Sequence, residues 1–61
     1  MDNVMFTRVK SYMIDNDMNI LDSDDIQDAI VEVYMNEYNF TDRDLMLYAL
    51  EFCNLLFKET Q

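Results

Sequence analysis

Glycine, proline, histidine and tryptophan are all missing from the 61 residues, and cysteine occurs once, at Cys53. Without Gly and Pro the chain lacks the residues that shape tight hairpins and most helix C-termini, which argues against an all-β fold. With one cysteine no intramolecular disulfide can form, and without histidine the ordinary structural zinc sets cannot be assembled. Histidine is also the commonest general acid or base, so most acid–base and nucleophilic constellations are lost with it. Long apolar runs are absent too. The opening MDNVMFTRVK lacks the uninterrupted apolar core of a signal peptide, and no segment approaches the ~18 apolar residues that span a bilayer. The expectation is a soluble, cytoplasmic protein of one domain, residues 1–61. A domain of this size buries only roughly 60% of its unfolded surface. It must draw its stability from helix packing or from association with another chain.

Positive charge is scarce as well: four Lys and Arg stand against thirteen Asp and Glu, for a net charge of −9. The imbalance is local. Eight acidic residues and no basic one fall between Asp15 and Glu37, whereas residues 1–14 hold Asp2 against Arg8 and Lys10. A single-sign field on so small a body opposes compaction and steers association toward cationic surfaces. It also repels nucleic acid and anionic membranes, so direct binding to either is not expected.

Three helices are expected. The first covers about 3–15, with Met5, Val9, Tyr12 and Met13 in one stripe and Phe6 beside it. Residues 15–19, Asp-Asn-Asp-Met-Asn, read as a loop in which Asx residues satisfy local backbone and Asn takes the left-handed conformation in place of Gly. The second helix is placed at 23–37, capped by Asp22 or Ser23, with Asp24 and Asp25 at the positive end of its dipole and Ile26, Ala29, Ile30, Val33 and Tyr34 facing inward. The β-branched cluster at 30–33 leaves a strand open there, and residues 36–39 are expected to close the element. The third helix is placed at 42–58. Thr41 and Asp44 form a near version of the capping box, with Phe40 and Leu45 at the staple positions.

This third segment is apolar almost all round: between Leu45 and Phe57 only Glu51 and Asn54 are polar. A helix of that kind is normally buried on every side. Two short partner helices cover only part of it, so Met46, Leu47, Leu50, Cys53, Leu56 and Phe57 are the candidate interface to another chain, with a homodimer expected. The plainer alternative is a three-helix monomer with surface leucines.

Few constellations suggest chemistry. Asp15-x-Asp17-x-Asn19 matches the first three side-chain positions of an EF-hand loop, but Ile20 stands where the loop needs Gly and Ile26 where it needs a bidentate Glu. A solvated interhelix turn explains it better, and no metal or other cofactor is expected. Paired carboxylates need a pocket to raise one pKa, which so short a chain builds poorly. Cys53, set among apolar residues, reads as a small core hydrophobe. No enzyme activity is expected.

The remaining feature is a row of like charges. Asp24, Asp28 and Glu32 recur at i, i+4 and i+8, with Asp25 beside them and no Lys or Arg to offset them. The ~5.4 Å helical pitch is close to, though shorter than, the spacing of phosphates along a nucleic-acid strand. Such a row can occupy a cationic groove built for nucleic acid. The plain reading is a solvated face that keeps an apolar little protein soluble. In size, acidity and lack of motifs the chain resembles, in kind only, the small phage-encoded proteins that disable host nucleases, restriction or CRISPR effectors, or RNA polymerase. Its richness in Asn, Ile, Tyr, Phe and Met fits a low-GC coding sequence, as in a low-GC bacterium or its phages. That likeness implies a binding inhibitor acting on a basic protein surface through Asp24, Asp25, Asp28 and Glu32. The alternative is an assembly module whose third helix is the interface and whose acidity serves solubility.

Overall fold

A computed structural model of the chain describes residues 1–34, 37 and 39–59. Three helices, α1 (Asn3–Asp15), α2 (Ser23–Tyr34) and α3 (Asp42–Glu59), make up an all-α domain with no strand among the described residues. Each helix begins on an acidic or hydroxyl cap. The Asp2 carboxylate accepts from the Met5 amide at 2.8 Å. Asp22 Oδ1 accepts from Asp24 N at 2.8 Å and more weakly from Asp25 N, so Asp22 rather than Ser23 caps α2. Thr41 and Asp44 exchange bonds of 3.1 and 3.2 Å, the reciprocal capping box expected from their spacing.

The end of α1 shows how the chain manages without glycine. The Met18 amide donates to the Met13 carbonyl at 2.9 Å and the Asp17 amide to the Ile14 carbonyl at 3.3 Å, the paired bonds of a Schellman motif. The residue in the left-handed region is Asp17, at φ 55°, and not an asparagine. Asn16 instead spends its side-chain amide on the Tyr12 carbonyl at 2.7 Å. Met18, one residue beyond the turn, packs on the core that holds Met13, the apolar contact that usually accompanies this motif.

The 30–33 segment is helical, not a strand; α2 is described over Ser23–Tyr34, and the expected last residue, Glu37, is not helical. Glu37 lies in a turn whose amide reaches back three residues to the Tyr34 carbonyl. Its carboxylate meets Arg8 at 4.0 Å, and the Arg8 guanidinium sits 4.6 Å from the centre of the Tyr34 ring. Residues 36 and 38 of the expected closing segment lie outside the described residues.

The core is built from Phe6, Val9 and Met13 of α1, Ile26, Ala29, Ile30 and Tyr34 of α2, and Ala49, Phe52 and Leu56 of α3. Met5 and Tyr12, expected in the α1 stripe, and Val33 of α2 are half-buried at its edge. Phe52 is fully buried and its ring lies 5.0 Å from that of Phe6, at a tilt of 50°. Contacts of Met1 with Glu51, Phe6 with Phe52 and Lys10 with Glu59 show that α1 and α3 run in the same sense, with α2 packed antiparallel against both. Leu56, assigned from sequence to an outer interface, is only 8% exposed and belongs to this core. It lies one helical turn from Phe52 and so shares its inward direction.

Candidate binding surfaces

Two faces of this bundle stand out. On α2 the buried side chains and the row of Asp24, Asp28 and Glu32 lie about 180° apart around the helix axis, at the 100° per residue of an α-helix. The row therefore points straight out from the core, and all three residues are exposed. Successive members rise by about 6 Å. Their carboxylates make no hydrogen bond or ion pair with any described residue. The cations near α1 are committed elsewhere: Arg8 to Glu37 and Lys10 to Glu59, while the Met1 amino group meets Glu51 at 3.0 Å.

Asp25, expected on the same acidic face, behaves differently. It is half-buried and its Oδ2 accepts from the Asn19 amide at 2.8 Å, so it ties the 16–22 loop to the start of α2. Asn19 in turn accepts from the Leu21 amide at 3.0 Å. The EF-hand-like triplet is thus part of a turn held by its own side chains, and among the described residues no group of three His, Cys, Asp or Glu is placed to hold a metal ion. Of the acidic face named from sequence, three residues form one outward row and the fourth serves the fold.

The second face is on α3. Met46, Leu47, Leu50 and Phe57 are 60%, 53%, 62% and 68% exposed. They lie on one stripe whose centre is about 130° round the axis from the buried Ala49, Phe52 and Leu56. Asn54 sits among them, and Cys53 is half-buried at the stripe's edge, packed against the core. So α3 has a covered apolar face and an open one. Two open clefts, of about 400 and 430 Å³, flank α3. The first runs between Val4, Arg8, Tyr34, Phe40 and Tyr48, where Phe40 and Tyr48 meet edge to face at 5.5 Å. The second is bordered by Leu47 and Leu50 of the exposed stripe.

Sequence reasoning did not see that Arg8 and Lys10 are drawn onto Glu37 and Glu59 by the packing of α1. Long-range pairing of this kind, across 29 and 49 positions, has no local signal. No helix among the described residues is long and apolar enough to cross a membrane. Compared with known proteins, the chain matches no family model, no curated protein and no solved structure.

Proposed function

We propose that this is a non-catalytic binding protein whose α2 row engages a cationic, nucleic-acid-binding surface on a partner protein and blocks it. The observation that supports the reading is the row itself: Asp24, Asp28 and Glu32 point away from the core and are left without counter-ions while the cations of α1 are spent on other carboxylates. Like charges at i, i+4 spacing destabilise a helix, so a row kept in this form works against the fold that carries it. A cationic groove offsets that repulsion on binding. The partner classes that fit are a nuclease, a CRISPR effector or an RNA polymerase, which expose grooves shaped for a phosphate backbone, and the setting that fits is a phage protein in the cytoplasm of its host.

The test is affinity capture from a bacterial lysate on two baits, the natural chain and the Asp24→Asn, Asp28→Asn, Glu32→Gln variant. The natural chain is expected to retain a nucleic-acid-binding protein that high salt releases and that the neutralised variant does not retain. Equal retention by both baits would overturn the proposal. A second reading, an assembly module with the acidity for solubility, is favoured by the exposure of Met46, Leu47 and Leu50. Under it, Leu50→Asp abolishes retention and neutralising α2 leaves it intact.

A further inference from the structure

The open face of α3 has the pattern of a surface made for its own copy. Its middle, from Met46 to Phe57, carries one charge, Glu51, which lies on the flank and is paired with the Met1 amino group, and it is framed by Arg43 on the N-terminal side and Lys58 on the C-terminal side. Neither of these two cations is in an ion pair with any described residue. The first turn of α3 is acidic, with Asp42 and Asp44, and the last turn is basic at Lys58. Two copies side by side in the same direction would set acid against acid and lysine against lysine, with their helix dipoles aligned. Two copies in opposite directions oppose the dipoles and bring the acidic first turn of each near Lys58 of the other, with Glu51, paired to the Met1 amino group, as the acid that faces its like.

We propose that α3 pairs with α3 of a second copy, antiparallel, about a two-fold axis at Leu50. Arg43 and Phe57 each lie seven residues from Leu50, so this register places the guanidinium of one copy against the Phe57 ring of the other, a favourable cation–π geometry. It also brings Lys58 beside Asp44 of the second copy, because Asp44 and Lys58 lie on the same flank of the stripe and two-fold antiparallel helices juxtapose like flanks. Asp44 has a carboxylate oxygen to spare: its cap bond to the Thr41 amide uses Oδ2.

The area is sufficient. With about 200 Å² for a large side chain, the four exposed residues present roughly 500 Å² per copy and about 1,000 Å² in the pair, the lower bound of specific interfaces before the flanks are added. For a chain whose whole surface is 4446 Å², that is a large apolar patch to leave wet. The proposal rests on the α3 face and not on the acidic row, which faces outward from α2 and stays uncovered in the pair.

Two experiments test it. Sedimentation equilibrium is expected to show a dimer that tightens with salt, since salt screens the repulsion between two −9 bodies and leaves the apolar contact intact. Leu50→Asp, on an exposed site that folding does not need, is expected to weaken it by about 100-fold or more, because it sets two carboxylates against each other on the axis. The direction of pairing is read by air oxidation, with a copper catalyst, of single-cysteine variants in a Cys53→Ser background. Leu50→Cys is expected to form the disulfide dimer and Asn54→Cys is not, since antiparallel copies of residue 54 lie about 12 Å apart along the axis, beyond disulfide reach. Cross-linking at both sites would overturn the antiparallel register while keeping the α3 interface. A monomer at every salt concentration, with no cross-link at either site, would overturn the pairing itself and leave the α2 proposal standing.

Discussion

Replacing Glu32 by lysine should make this protein more stable, and the structure gives the size of the gain. Glu32 sits in the last turn of α2, near the negative end of the helix dipole and four residues after Asp28. Both neighbours disfavour an anion. Removing the repulsion with Asp28 and replacing it with an attraction contributes about 0.6 kcal/mol, taking about 0.3 kcal/mol for each exposed pair. Exchanging an anion for a cation near the helix C-terminus adds roughly 0.5 kcal/mol. No described residue loses a bond, since the Glu32 carboxylate has none. The sum is about 1 kcal/mol. For a domain of this length the unfolding entropy is roughly 130 cal/mol/K, so the melting temperature should rise by about 8 °C at low salt. Thermal unfolding followed by circular dichroism, at matched concentrations, reads the shift. It should shrink to a small fraction in high salt, because both terms are screened. An unchanged or lowered melting temperature would refute the reasoning, and with it the view that the row is held against the interest of the fold.

Other outcomes follow from the same contacts. Phe52→Ala should cost about 3–5 kcal/mol, comparable with the roughly 3–9 kcal/mol that a domain of this size possesses, so its helical signal at 25 °C should be largely lost. Asp22→Ala removes the acceptor for the Asp24 amide and should lower stability by about 1 kcal/mol in denaturant titration. Asp17→Gly relieves the left-handed residue and should raise stability by about 0.5 kcal/mol, whereas Asp17→Ala should lower it. Calcium added at millimolar excess should leave the circular dichroism spectrum unchanged, because the Asn19 and Asp25 side chains of the turn are already bonded to backbone amides.

The helices were legible because their signals are local. Asp2, Asp22 and the Thr41–Asp44 pair each act within three residues of themselves, and the apolar spacing of α1 and α2 repeats at the helical period. The α3 faces were legible only in part. A helix apolar nearly all round gives no sign of which side its partners take, so the spacing alone does not separate Leu56 from the open face, although it packs beside Phe52. The end of α2 was hidden for a related reason: Glu37 leaves the helical ladder while its carboxylate meets Arg8, 29 positions away in sequence and invisible to periodicity. At the candidate site, the spacing of Asp24, Asp28 and Glu32 announced an outward row. Nothing in the spacing announced that Asp25 would turn aside to hold Asn19, since that bond depends on where the loop returns.

The central claim is that the α2 row takes the place of nucleic acid on a cationic partner. It is tested most directly by displacement: the captured partner, loaded with labelled nucleic acid, is titrated with the natural chain and with the Asp24→Asn, Asp28→Asn, Glu32→Gln variant. The account predicts that the natural chain releases the nucleic acid, that the release fades as salt rises, and that the variant fails. A complex holding both nucleic acid and this protein, or equal release by the variant, would contradict it.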